Sequence, residues 1–246
     1  MSRCLNCGSE FSDNFCGHCG QEEIVPRIRF KHLVAQFFKF ILLIESHILI
    51  TIKNLVIRPG HFVRDYLAGK RAPFCSPIQF FLLFMTVYLI LFGFFGDRFI
   101  SFMNTTMSID QLTQEQMVKI EKMQTFIKRN LNILYFMWPI GMALFLELFF
   151  HKKDIYYSEF LVLVFYLFGI DFILSLSAIL LTVIDPRFML IRVVIGLVYF
   201  PFAISQFFQS KRIWTFIKIY GSIIMSFIVY VIFVQVFSFI YFVFLQ

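Results

Sequence analysis

Five stretches of the chain run almost unbroken in apolar residues, at about 78–95, 131–150, 160–184, 189–208 and 219–245. Each approaches or exceeds the roughly 20 residues an α-helix needs to cross about 30 Å of hydrocarbon. The pattern therefore predicts an all-α polytopic membrane protein with about five transmembrane helices. Polar interruptions inside these stretches are few. Asp171 falls near the middle of the third and Arg192 near the start of the fourth, while Pro139 and Pro201 sit inside the second and fourth.

The chain before the first span reads differently. From Leu33 to Ile57 apolar residues are broken by Gln36, Lys39, Glu45, His47 and Lys53. On a helix, Arg29, His32, Gln36, Lys39, Ser46 and Lys53 form one slowly drifting polar stripe. Such a helix suits the membrane interface, with a packed or re-entrant helix as the alternative. A crossing would put Lys39, Glu45 or Lys53 in lipid at roughly 2.5–3.5 kcal/mol each. Pro59-Gly60 ends this segment. A short helix is expected from about His61 to Ala68, with Phe62, Val63, Tyr66 and Leu67 on one face and Gly69 as a left-handed cap. Between the first two spans, Thr113 and Gln116 fit a capping box. The helix they begin is expected to extend the second span through Met117, Ile120, Ile127, Leu131 and Leu134.

Composition agrees with this reading: 59% of the 246 residues are hydrophobic, 15% are charged, and phenylalanine occurs 37 times. No globule of this size has the interior to hide such blocks. The net charge of +7 favours anionic lipid headgroups as partner, because the basic residues lie beside the spans; nucleic acid is disfavoured. Ten Lys and Arg precede the first span and five follow it in the long loop. Carried through the remaining loops, this places about fifteen on one side against about six on the other. The expectation is a multi-pass protein of the inner (cytoplasmic) membrane, N-terminus cytoplasmic and C-terminus outside. The N-terminus opens on cysteines rather than a basic stretch and apolar core, so no removable signal is expected.

Those cysteines carry the clearest chemistry. Cys4-Leu-Asn-Cys7-Gly8 and Cys16-Gly-His-Cys19-Gly20 are two Cys-x2-Cys turns separated by eight residues. Four thiolates satisfy tetrahedral Zn2+ and leave no open position, so the site is structural rather than catalytic. Gly8 and Gly20 follow the second cysteine of each pair, where a tight turn can need positive φ. A unit this small must draw its stability from the metal. The expected organisation is a zinc ribbon at 1–23, interfacial amphipathic helices and a basic collar at 24–76, and a transmembrane helical domain at 77–246. Free thiols, a disulfide pair or an iron–sulfur cluster are the alternatives for the four cysteines.

The second motif runs Thr51-x2-Asn54-Leu55, Arg58-Pro59-Gly60, Arg64-Asp65-Tyr66-Leu67, Gly69-Lys70-Arg71 and Phe74. Arg58, Arg64, Lys70 and Arg71 form a basic collar beside lipid, either as a headgroup site or as a plain orientation signal. The ribbon ending Cys-Gly-Gln, the Arg-Pro-Gly turn and the Tyr-Leu-x-Gly-Lys-Arg stretch together resemble an uncharacterised family of bacterial integral membrane proteins, known only as a domain of unknown function. The resemblance covers about residues 1–80. It implies an inner-membrane protein with a cytoplasmic ribbon, and brings no activity or catalytic residue with it.

Asp171 is the remaining candidate, since a carboxyl within a span is costly and a functional hypothesis by default. A structural hydrogen bond between helices is its bland alternative. Three function classes follow. The first is a membrane-anchored binding or scaffold protein, whose ribbon holds a protein, lipid or nucleic-acid partner at the cytoplasmic face. The second is a small transporter or channel using Asp171. The third, a lipid-modifying enzyme, ranks last, because His-Glu-x-x-His, Gly-x-Ser-x-Gly and P-loop patterns are all missing. A homo-oligomer is compatible with the sequence.

Overall fold

The computed structural model describes residues 2–3, 8–12, 17–18, 47–70, 74–106, 113–151, 155–182 and 184–244. The chain divides into two compact units, Met1–Ser46 and His47–Gln246. In the first, β1 (Ser2–Arg3) pairs antiparallel with β2 (Glu10–Phe11), Ser2 opposite Phe11 and Arg3 opposite Glu10. Gly8 lies in the turn between them at φ 75°, the left-handed conformation expected there. Arg3 Nε donates to the Gly8 carbonyl at 3.1 Å. The four cysteines expected to bind zinc, Cys4, Cys7, Cys16 and Cys19, lie outside the described residues.

In the second unit every regular element among the described residues is a helix. Its elements are α1 (His47–Ile57), α2 (Pro59–Leu67), α3 (Pro77–Thr106), α4 (Gln114–Arg129), α5 (Leu131–Phe150), α6 (Tyr157–Leu181), α7 (Phe188–Phe207) and α8 (Ile213–Phe244). Among them α3, α5, α6 and the Ile213–Phe239 part of α8 are long and apolar enough to cross a membrane. In α7, the expected fourth span, the described apolar run is Val193–Phe207. Large apolar side chains face outward along these helices, among them Ile90, Phe94, Val194, Val198, Ile228 and Phe239. Such a continuous apolar exterior needs lipid rather than water around it. The chain has the helices of a multi-pass membrane protein.

The central helix is α6, packed by α3, α5 and α7. It is buried all round from Leu163 to Phe172 except for what its neighbours leave at the edges. That explains why it shows no polar face. Much of the phenylalanine excess is spent here. Phe81 of α3 lies 5.1 Å from Phe165 and 5.7 Å from Phe172, and Tyr88 lies 5.4 Å from Phe172. In lipid no hydrophobic force drives helices together, so interdigitated rings supply contact energy by dispersion and quadrupole geometry. Three buried serine and threonine hydroxyls bond carbonyls one turn back in their own segments: Ser175 donates to Asp171 O, Thr182 to Ile179 O and Ser226 to Ile223 O.

Three boundaries differ from expectation. Helix α3 continues eleven residues past Phe95 because nothing breaks it; Ser101, Thr105 and Thr106 bond the carbonyls one turn back. At 30 residues it is about 45 Å long. Helix α4 has the expected box, with Thr113 N donating to Gln116 Oε1 at 3.1 Å. It does not run straight into α5, however. Asn130 interrupts it at φ −111° and ψ 15°, its side chain bonding Phe126 O. Phe126 then meets Phe237 of α8, while Lys128 pairs with Asp97 at 2.7 Å and ties α4 to α3. Helix α8 starts at Ile213 rather than 219, because Lys218 has a partner: its Nζ reaches the Phe149 carbonyl at the end of α5, at 3.0 Å.

Candidate functional site

The motif running from Thr51 to Phe74 folds into a brace across one end of the bundle. Helix α1 turns a narrow face inward, with Thr51 and Leu55 fully buried and Leu49, Val56 and Ile57 exposed. Arg58 breaks the chain direction, and Pro59 opens α2 at a position where its missing N–H costs nothing. Gly60 allows α2 to lie directly on the end of α7. A Cβ at residue 60 would occupy the space of Phe207 N and Ala203 O and come within 2.6 Å of Gln206 C. Phe62 and Val63 are buried on the face expected for them, with Phe62 edge-on to Phe74 at 4.8 Å and to Tyr166 at 5.0 Å. Gly69 closes the helix at φ 105°. There the Lys70 amide returns to Asp65 O and the Gly69 amide to Tyr66 O, the paired bonds of a Schellman cap.

Hydrogen bonds from distant helices fix this brace. Tyr166 of α6 donates to the Cys75 carbonyl at 2.6 Å. The Cys75 amide donates to Thr51 Oγ1 at 3.1 Å, and that hydroxyl donates to His47 O. Tyr199 of α7 donates to the Leu55 carbonyl at 3.0 Å. Each bond satisfies a main-chain group that α1 or the turn before α3 leaves open. Cys75 therefore serves through its backbone, and burial pushes its thiol above the ordinary value. Removing one hydroxyl tests the arrangement. Tyr166→Phe leaves the Cys75 carbonyl unpaired at an expected cost of about 1–3 kcal/mol, read as a lower melting temperature in detergent with helicity unchanged.

The four collar cations are not equivalent. Lys70 Nζ lies 2.9 Å from Asp65 Oδ1, and Arg58 Nη1 lies 4.0 Å from Asp65 Oδ2. Arg58 also donates twice to Asn54 Oδ1, at 3.1 and 3.2 Å. The hydrogen bond from Lys70, with Arg58 and His61 nearby, holds the Asp65 carboxyl below the ordinary carboxylate range. Arg64 stands apart. It is exposed, and no hydrogen bond or ion pair engages its guanidinium among the described residues. Arg71 lies outside the described residues.

Arg64 borders two adjoining clefts between α2 and the turn joining α7 to α8, of about 470 and 380 Å³. Gln209 lines both. It holds φ 49°, the one left-handed non-glycine residue among those described. Its amide returns to Gln206 O and that of Ser210 to Ser205 O, so glutamine occupies the cap position that glycine fills at residue 69.

Asp171 lies elsewhere, buried between α6 and α7. Its Oδ1 is 3.7 Å from where a Cβ on Gly196 would stand, an ordinary van der Waals distance that places the carboxyl against α7. Among the described residues no group of three His, Cys, Asp or Glu side chains is placed to hold a metal ion. The tyrosines at 166 and 199 and the glutamine at 209 were not among the sequence candidates. A tyrosine inside an apolar span was the available signal, since its hydroxyl must find a partner there.

No curated protein and no solved structure matches the chain. Residues 45–89 match the model of a family described as a protein of unknown function (DUF3667). The match spans α1, α2 and the opening of α3, and does not reach the four-cysteine segment; over residues 45–89 the chain is similar to that uncharacterised domain, and the matched stretch is the one that forms the brace.

Proposed function

We propose that this protein is a membrane-anchored binding or scaffold protein of the inner membrane, with a structural Zn2+ ribbon at the cytoplasmic face. The observation carrying this reading is how the brace spends its residues. Gly60, Gly69, Thr51 and the tyrosine-bonded carbonyls of Leu55 and Cys75 all go into holding α1 and α2 on the bundle. That is the construction of a rigid mount, not of a reaction centre. In this reading α3 and α5 to α8 all cross, so that the termini lie on opposite sides, the N-terminus cytoplasmic and the C-terminus outside. Arg58, Arg64, Lys70, Lys211, Arg212 and Lys218 cluster in sequence around the braced end, which supports this orientation. The β1–β2 hairpin with left-handed Gly8 supports a knuckle that holds Cys4 and Cys7.

Full-length protein purified in mild detergent is expected to carry one zinc per chain by metal analysis. Cys4→Ser with Cys16→Ser should lose it while helicity persists, because the metal stabilises only the ribbon. Deleting residues 1–23 should remove crosslinked protein partners and leave membrane insertion intact. An unchanged partner set after that deletion rejects the scaffold reading.

A second reading rests on Asp171, a carboxyl packed against Gly196 inside the helices. A small transporter using it would lose pH-dependent flux in proteoliposomes on Asp171→Asn. Wild-type vesicles that move nothing across a broad solute panel would rule this reading out.

A further inference from the structure

The two clefts beside α2 differ in chemistry and share a boundary. One is lined by Arg58, His61, Arg64 and Asp65. The other shares Arg64 and Gln209 and adds Leu67, Ile155, Phe207, Phe208 and Glu159. Glu159 is already engaged, since its carboxylate accepts the Tyr156 amide at 2.9 Å and caps α6. Asp65 is likewise committed to Lys70. What remains unpaired in the polar half among the described residues is the Arg64 guanidinium, with His61 and the Asn54-bonded Arg58 beside it. At the boundary stands Gln209, held in a conformation that a non-glycine residue adopts at a cost. A glycine would relieve that cost, but it would remove the side chain of a residue that lines both clefts.

We propose that this cleft binds a phosphate-bearing anion, with the phosphate at Arg64, Arg58 and His61 and the Gln209 amide as a further donor. Guanidinium groups match phosphate oxygens in geometry and charge. The apolar half, continuous with the phosphate position, has the character that receives the glycerol and first methylenes of an anionic phospholipid. Free inorganic phosphate would use only the polar half. The lipid arm rests on the cytoplasmic-interface placement proposed above; the cleft itself does not depend on the ribbon.

The test uses full-length protein in zwitterionic detergent, with melting followed as phosphatidylglycerol, phosphatidylcholine or inorganic phosphate is titrated in. Phosphatidylglycerol is expected to raise the melting temperature and phosphatidylcholine to leave it unchanged. Arg64→Gln should weaken the phosphatidylglycerol response about tenfold, with Arg64→Lys retaining part of it. Lys211→Gln removes the same charge from the same end but does not line the cleft, and should behave as wild type. An Arg64-dependent response to inorganic phosphate alone supports the site and assigns it to a soluble anion. Equal losses in Arg64→Gln and Lys211→Gln, or no response to either phosphate source, overturn the proposal. Partner capture is read on the 1–23 deletion, so either idea can fail without the other.

Discussion

Gly60→Ala should be the most destabilising single change, lowering both the yield and the melting temperature of the protein. The added methyl group would stand on the α7 main chain, against Phe207 N, Ala203 O and Gln206 C. Side chains can rotate away from such a clash, but the backbone of a packed helix cannot. Helix α2 must therefore lift off α7, exposing Phe62 and Val63, both fully buried in the fold. Overpacking usually costs about 1–3 kcal/mol where neighbours can yield; here the expected loss is about 3 kcal/mol or more, at the upper end of single substitutions. The readout is yield and melting temperature of detergent-purified protein. Gly69→Ala is the comparison. It strains a left-handed residue but meets open space, and should cost only about 1 kcal/mol. If both variants melt alike, the close approach of α2 to α7 is wrong.

Gly169→Ala should be the second most damaging change, and one that can be rescued. Gly169 faces the Phe80 ring, whose Cε1 stands 2.6 Å from the position of an added Cβ and whose Cδ1 is closer still. Phe80 is fully buried and held by Phe84 at 4.9 Å and Tyr166 at 5.8 Å. The ring can shift only by disturbing those neighbours, so a loss of about 2–3 kcal/mol is expected. Phe80→Leu alone should also destabilise, by leaving a gap. Together the two should recover part of the loss, with a coupling of about 1–3 kcal/mol in a double-mutant cycle. Strictly additive losses would mean that α3 and α6 do not meet at this pair.

How much of this was legible beforehand depends on how local each feature is. The limits of α5 and α7 were read within a residue or so, and those of α6 within three, because an apolar run that meets lipid must satisfy its main chain inside one helix. The Gly69 cap and the Thr113–Gln116 box were legible for the same reason, each decided by residues within a few positions of one another, whereas Pro59, read as the end of the preceding segment, in fact opens α2. The ends of α3 and α8 were not. Their extra turns are held by Asp97 with Lys128 and by Lys218 with the Phe149 carbonyl, partners far away in the chain.

The collar shows the division most clearly. Its residues were read as one basic ring, and charge alone gives no reason to separate them. The fold separates them, giving Lys70 and Arg58 to Asp65 and leaving Arg64 beside Gln209. By itself the sequence determined which segments are helical and apolar enough to seek a membrane, since hydrogen-bond satisfaction and local turn chemistry act over a single segment. Only the tertiary structure decided that the Arg-Pro-Gly motif is a mount for α2 on α7, and that α6 is the central helix. Those outcomes rest on contacts such as Tyr166 to Cys75 and Tyr199 to Leu55, 91 and 144 residues apart. Pairings at that separation depend on which helix faces meet, and no periodicity along one segment carries that information.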